Sequence, residues 1–589
     1  MCGVFGYVGT EAEIGPDLLR ALRTLEYRGY DSWGVAIADG DAIRVEKRTG
    51  RITSFELGLP PSDIGFGHTR WATHGGVTDL NAHPHLDCTG HLAVIHNGII
   101  ENHLELRDEL TGRGHRFRSE TDSEVVAHLL EERIGAGVGL VLAVREVFGR
   151  LTGLNAIVAM DVSNRELVAT KSVSPLVAGL GDGATVIASD AIALMPHAGR
   201  LLYLEDGQLL RIGKDGLALY DRATLSPLPV NLADIDWTAV NTDLGPHPHY
   251  MAKEMAEQPD VLLRLARDGR DQIARLAEHA KAARRVVLTG CGTAANAALS
   301  GRYLLGDVAG LPVEVVPASE FRFLAGPVDA DTLVVALSQS GETADVMEAM
   351  LAARGRGATL AALVNAPRSS LDRLVDLRVH LNAGPEQCVL ATKSYTAMLA
   401  AQLLLAHAIV GDYDRGVESV AAAAAGIAEQ LAEAPVARMR AIGRRVAEQD
   451  HMFVIGRGPA YPAALEAALK IKEVSYVHAE GFAGGELKHG VIALVEPGTP
   501  CLVFAPSDDT RADILSGAAE LRSRGGWVIG VGSEPDPVFD DFLPVPDVGA
   551  TAASIVGALV PQMIGYHAAL ARGNDPDRPR NLAKSVTVK

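Results

Sequence analysis

The residues best able to do chemistry lie near the two ends of the 589-residue chain. The chain opens Met1-Cys2-Gly3, and the side chain of Cys2 is small enough for an aminopeptidase to remove Met1. Cys2 would then carry a free α-amino group beside its own thiol. A thiol near ~8.5 is only a few per cent thiolate at neutral pH, while an α-amine titrates near ~7.7–8.0 and can take the thiol proton. Nucleophile and base are thus one residue, although the position alone equally describes an ordinary small residue at a terminus. Further along, Ser338–Thr343 (SQSGET) offers hydroxyls, a glycine and the start of a helix, the makings of a phosphate cradle or of a plain N-capping turn. Glu473 follows Lys470 by three positions in ALKIKEVSYVHAE, so carboxylate and ammonium share a helix face. Asn97-Gly98, after the alternating LAVIH, reads locally as a hairpin turn.

Such residues need elements to hold them. Residues 1 to about 230 read as an α+β unit, with a helix from Pro16 to about Arg28 carrying Leu18, Leu19, Leu22 and Leu25, then short strands. The stretch from Leu225 to Pro248 contains four prolines and little periodicity, so 226–250 reads as a linker. Beyond it the sequence repeats itself. RVVLTGCG matches HMFVIGRG, with Val286 and Phe453 167 positions apart; Val335 in DTLVVALSQSGET matches Val503 at 168; Thr359 matches Trp527 at 168. Each pair is an apolar run followed by a helical stretch, which predicts two similar doubly wound α/β domains with parallel sheets, 251–430 and 431–575. Ligands of such sheets sit at the carboxyl ends of the strands. Copy two has Asp508 and Asp509 where copy one has Ser340 and Gly341, so only the first copy is expected to take a phosphate.

Composition narrows the function classes. Fifty-four Lys plus Arg against 73 Asp plus Glu give a formal charge of -19 with no basic run, which disfavours nucleic acid and anionic membrane as partners. The residues after Tyr7 are acidic, unlike a secretory leader. The most apolar segment, Tyr395 to Gly411, is short and interrupted by Thr396, Gln402 and His407, and reads as a core helix. Five scattered cysteines without a CxxC pair suit a reducing cytoplasm and predict no zinc site.

Taken together, EYRGYDS, HTRWATHGG, HNGIIENH, ETDSEV, CGT, SQSGETAD, EGFAGGELKHG and PRNLAKSVTV occur in an order that resembles the glutamine:fructose-6-phosphate aminotransferase (isomerizing) family. The resemblance covers nearly the whole chain. It implies a class II glutamine amidotransferase domain of the N-terminal-nucleophile type over 1–225, two SIS domains, and a functional tail over 576–589. It implies that Cys2 forms a glutamyl thioester, Arg70 clamps the glutamine carboxylate and Asp122 its amino group. Asn97 and Gly98 would supply the oxyanion hole, Trp71 would gate an ammonia tunnel, and His74 would shape the site. For the sugar, Thr293, Ser338, Gln339, Ser340 and Thr343 align with phosphate contacts, and Lys584 with a Schiff-base lysine. Glu473 would move a proton between C1 and C2, and His489 would open the sugar ring from a neighbouring subunit. The implied substrates are L-glutamine and fructose 6-phosphate, with no metal or organic cofactor, in a cytoplasmic homodimer. Trp33, Ala294 and the segment GPEQCVLATK, with Pro385, Gln387, Cys388, Leu390 and Ala391, depart from the family pattern. The departures bear on which sugar is used, so the alternatives are a paralogue acting on another ketose phosphate and a non-catalytic sugar-phosphate sensor.

Overall fold

The computed structural model describes residues 2–10, 13–234 and 243–586. The chain divides into two compact units, Met1–Val240 with Ser585–Lys589, and Asn241–Lys584.

The first unit stacks two antiparallel sheets between helices. An eight-stranded sheet carries Gly3–Gly9 between Ile64–Arg70 and Ala184–Ala188. A seven-stranded sheet carries Leu92–Gly98 between His85–Leu86 and Asn155–Asp161. Val4 and Phe66 from the first sheet meet Ile95 and Val158 from the second in one core. Leu18, Leu19 and Leu22 of helix Gly15–Thr24 cover the outer face of the first sheet. Helices Glu124–Gly135 and Leu140–Phe148 cover the second. Because strand Gly3–Gly9 is covered on both faces, it is apolar throughout rather than alternating.

Two expectations change here. The helix predicted to reach Arg28 ends at Thr24 and is followed by a 3₁₀ turn, Glu26–Arg28. Tertiary partners draw that turn aside: Asp190 accepts from Tyr27 Oη at 2.6 Å and Arg28 at 2.9 Å, and Glu26 accepts from the Ile52 amide at 2.7 Å. The stretch read as a linker contributes two edge strands, Pro227–Leu228 and Ala233–Asp234, where a missing proline N–H does no harm. Residues 235–242 lie outside the described residues, as do 587–589 of the tail.

In the second unit the repeat appears as two five-stranded parallel sheets with the same strand order. One runs Val313–Pro317, Arg285–Gly290, Thr332–Ser338, Thr359–Val364, Leu377–His380. The other runs His478–Ala483, His451–Gly456, Pro500–Phe504, Trp527–Gly532, Asp541–Pro544. The fold class is therefore the expected one, an α+β first unit followed by paired doubly wound α/β sheets. Both sheets share one hydrophobic core, threaded by helix Lys393–Ile409, which is buried almost throughout. Among the described residues the stretch Ala550–Ala571 is long and apolar enough to cross a membrane, and 83% of its apolar window is buried within the protein.

Candidate active sites

Register creates the first site. Gly3 pairs with Thr69, so Cys2 faces the end of strand Ile64–Arg70. The Trp71 amide donates to Cys2 Sγ at 3.3 Å, and Asn97 Nδ2 donates to the Cys2 carbonyl at 2.9 Å. Burial raises the thiol pKa, while the Trp71 hydrogen bond and the Arg70 charge oppose that rise. Asn97-Gly98 is not a hairpin turn. It ends strand Leu92–Gly98, with Gly98 paired to Asn155 far along the chain. Gly98 has φ +137°, and a Cβ there would lie 2.2 Å from the Leu154 carbonyl oxygen, so only glycine fits.

Asp122 is buried and accepts from the Ile100 amide at 2.8 Å, which ties it to the Asn97-Gly98 segment. Arg70, also buried, donates to the carbonyls of His74, Gly75 and Gly76 and so organises that loop. Trp71 and His74 are half-buried, and His74 lies edge-on to His103 at 5.0 Å.

No motif or spacing in the sequence assigns a role to His68. Its Nε2 lies 3.1 Å from both the His96 carbonyl and Asn97 Oδ1, while its Nδ1 has no hydrogen-bond partner among the described residues. Burial holds its pKa down to about 3. A neutral ring facing two oxygens must carry its proton on Nε2, and this donation turns the Asn97 Nδ2 toward Cys2. The sequence clue was a histidine inside a strand covered on both faces, a place that demands a hydrogen-bonded partner.

The second site is a cavity of about 150 Å³ at the carboxyl ends of the first parallel sheet. Thr293, Ser338, Gln339, Ser340, Thr343, Glu473 and Lys584 all line it. Helix Thr293–Ala309 begins there, and so does Ala344–Arg354, whose N-cap is Thr343. Ser338 Oγ accepts from the Gly341 amide at 2.9 Å and Ser340 Oγ from the Glu342 amide at 3.2 Å, which fold the loop back on itself. Gly341 has φ +65°, and a Cβ would overlap Ser369. In copy two Asp508 Oδ1 accepts from both the amide and the hydroxyl of Thr510, at 2.9 and 2.6 Å. Carboxylate thus stands where the first copy presents hydroxyls.

Helix Ala460–Ser475 carries Glu466, Lys470 and Glu473 to this region on one face. Buried Lys470 sits 2.7 Å from Glu473 and 3.5 Å from Glu466. Burial opposes its charge, but the two carboxylates prevail and hold its pKa above the ordinary lysine value. Thr293 Oγ1 donates to Glu466 at 3.0 Å.

Lys584 is only 4% exposed and donates to Glu386 Oε2 at 2.5 Å and to the Leu390 carbonyl at 3.1 Å. Glu386 accepts further from Ser394 Oγ at 2.7 Å and the Thr392 amide at 2.9 Å. Burial works against its ionisation, yet Lys584 and these donors lower its pKa. No motif marks Glu386 in the sequence; its one signal is a lone carboxylate between Ala383 and the apolar CVLA. Beside it, burial and the Glu386 charge raise Glu254 to about 8.

His489, which the resemblance brings from a neighbouring subunit, stands apart from the cavity of its own chain. His489 ends the 3₁₀ turn Gly484–His489, is exposed, and is not among the lining residues. Of the departures, Trp33 is buried against the cluster around helix Gly15–Thr24, Cys388 and Leu390 are in the core, and Ala294 and Ala391 line the cavity.

Comparison with known proteins agrees with this layout. A glutamine amidotransferase domain model matches residues 68–196, and a SIS domain model matches 280–408 and 445–570. Glutamine–fructose-6-phosphate aminotransferase [isomerizing] of Thermus thermophilus is 42% identical over 612 residues, covering all of both chains. The protein of that name from Methanothermobacter thermautotrophicus is 39% identical over 610 residues, again covering both completely. The solved C-terminal domain of glucosamine-fructose-6-phosphate aminotransferase from Francisella tularensis matches at TM-score 0.53 and 29% identity, covering 58% of this chain and all of that one. With two full-length relatives near 40% identity and both domain types present in order, the chain belongs to the glutamine–fructose-6-phosphate aminotransferase (isomerizing) family.

Proposed function

We infer that the protein transfers the side-chain amide nitrogen of L-glutamine to D-fructose 6-phosphate, giving D-glucosamine 6-phosphate and L-glutamate. The observation that carries this reading is the burial of Lys584 in a cavity with the Ser338–Thr343 loop and Glu473. A lysine is ordinarily solvated; its enclosure beside hydroxyls and a carboxylate suits amine chemistry on a phosphorylated carbonyl compound.

In the first unit, Cys2 Sγ attacks the glutamine amide carbon while the α-amine of mature Cys2 takes the thiol proton. Asn97 Nδ2 and the Gly98 amide receive the oxyanion, whose charge exists only in the tetrahedral state. Arg70 binds the glutamine carboxylate, exchanging some of its bonds to the 74–76 carbonyls for the substrate, and Asp122 binds the amino group. His74 shapes this pocket. Collapse releases ammonia and leaves a thioester, which water hydrolyses to glutamate. Ammonia then travels by an internal path gated by Trp71, because in bulk water it would be lost or protonated.

In the second unit, Thr293, Ser338, Gln339, Ser340 and Thr343 hold the phosphate at two helix starts. The partner subunit's His489 opens the ring, which fits the exposure of that residue outside its own cavity and makes the working form a homodimer. Lys584 condenses with the C2 carbonyl and expels water. Ammonia displaces the lysine, and Glu473 moves the proton between C1 and C2. The unpaired, scattered cysteines agree with a cytoplasmic protein.

Product analysis tests the reading. Protein lacking Met1, incubated with glutamine and fructose 6-phosphate, is expected to form glucosamine 6-phosphate in step with glutamate. Lys584→Ala is expected to abolish the amino sugar and keep glutamine hydrolysis; amino-sugar formation undiminished in this variant would overturn the assignment.

A further inference from the structure

Away from both sites, four side chains with metal-ligand chemistry converge in the first unit. Cys88 follows the short strand His85–Leu86, and His115 follows helix His103–Gly112. His128 and Glu131 lie one turn apart on helix Glu124–Gly135. One ligand atom from each falls within 4.8 Å of all the others. Cys88 Sγ is 3.6 Å from His128 Nδ1 and 3.8 Å from His115 Nδ1, and Glu131 Oε2 is 3.0 Å from both ring nitrogens.

We propose that Cys88, His115, His128 and Glu131 bind one structural Zn²⁺ ion. Tetrahedral zinc with bonds of ~2.3 Å to sulfur and ~2.05 Å to nitrogen separates the two ligand atoms by about 3.6 Å, close to both observed sulfur–nitrogen distances. The carboxylate must open by about 0.4 Å from hydrogen-bonding distance, which a rotation of the Glu131 side chain supplies. Thiolate, two imidazoles and a carboxylate select zinc over the oxygen-seeking Mg²⁺ and Ca²⁺, and their two negative charges neutralise the ion. Four protein ligands close the coordination sphere, as in a structural rather than a catalytic site.

The surroundings of the ligands agree. The other ring nitrogen of each histidine faces a carboxylate: His128 Nε2 lies 3.6 Å from Glu124, and His115 Nε2 lies 3.5 Å from Glu132. Carboxylates in this position fix ring orientation and strengthen the histidine as a ligand. Glu124 in turn accepts from the amides of Arg118 and Ser119, each at 2.7 Å, so the ion would staple the segment between the two histidines to the loop of Cys88. Scattered cysteines without a CxxC pair predict no zinc site, but here one cysteine joins ligands from two later segments.

The full-length protein, purified without chelator, is expected to contain one zinc per chain by elemental mass spectrometry. Chelation should lower the thermal midpoint, and Zn²⁺ alone should restore it. Co²⁺ should give a thiolate charge-transfer band that Cys88→Ser lacks. Cys88→Ser, at an exposed position, and His115→Gln, which keeps a side chain of similar size at a half-buried one, should fall below about a tenth of a zinc per chain while remaining folded by circular dichroism. Wild-type protein that holds no zinc and gives no cobalt–thiolate band on titration would overturn the proposal. So would full zinc content in both variants.

Discussion

Glu386→Gln isolates the contact that holds Lys584 in its cavity. The substitution preserves volume and keeps one acceptor oxygen for the Thr392 and Ser394 amides, which Oε1 now serves. The new NH₂ then faces Lys584 and Ser394 Oγ, both of which donate to Oε2. Ser394 can turn and accept, but an ammonium cannot, so Lys584 keeps the Leu390 carbonyl and loses its only charged partner among the contacts described. Removing one member of a buried ion pair costs roughly 3–5 kcal/mol. At the lower figure, about 3 kcal/mol, the ratio of seated to released Lys584 falls roughly 100-fold, since each ~1.4 kcal/mol is a factor of ten. Amino-sugar synthesis should fall by up to that factor while glutamine hydrolysis, which uses Cys2 in the other unit, stays near wild type. The assay measures glucosamine 6-phosphate and glutamate in the same incubation. Synthesis within threefold of wild type would refute the idea that Glu386 positions the lysine.

Three further outcomes follow from named contacts. Gly98→Ala should eliminate glutamine hydrolysis and destabilise the protein in thermal melts, because the new Cβ meets a backbone oxygen at φ +137°; near-normal turnover would contradict this. His68→Leu should lower kcat for glutamine roughly 10–100-fold with little change in KM, since the Asn97 donor it orients acts in the transition state, and His68→Gln, which still donates, should recover part of the loss; a change in KM alone would count against it. Glu254 binds a proton up to about pH 8 when folded, whereas an unfolded glutamate releases it near ~4.3. Its stabilising contribution is therefore complete below the lower value and is lost as pH rises toward the higher one, so Glu254→Gln should flatten the decline of the thermal midpoint between about pH 4.3 and about pH 8.

The fold was legible where chemistry is local and repeated. A constant offset near 168 announced two like sheets because each copy must bury the same strands, and the SQSGET loop announced its helix start through its capping residues. The strands Val313–Pro317 and Leu377–His380 were not among the matched pairs because they are edge strands, half exposed, with a weaker apolar signature. Asn97-Gly98 shows the limit of local reading. Its dipeptide favours a turn, but pairing with Asn155 keeps it in a strand, and the positive φ of Gly98 serves the close approach of Leu154 instead. Glu386 and His68 act through partners distant in sequence, and the Cys88 cluster is assembled from three segments. None of these has a spacing that a linear reading can find. The resemblance to a family supplied Arg70, Asp122 and Lys584, whose residue types alone are ordinary.

The most direct test of coupled transfer supplies amide-¹⁵N glutamine and fructose 6-phosphate together with excess unlabelled ammonium, and reads the isotope in the amino sugar by mass spectrometry. Transfer along an internal path predicts glucosamine 6-phosphate carrying ¹⁵N regardless of the ammonium added. Amino sugar carrying the unlabelled nitrogen, or glutamate released with no amino sugar formed, would contradict it.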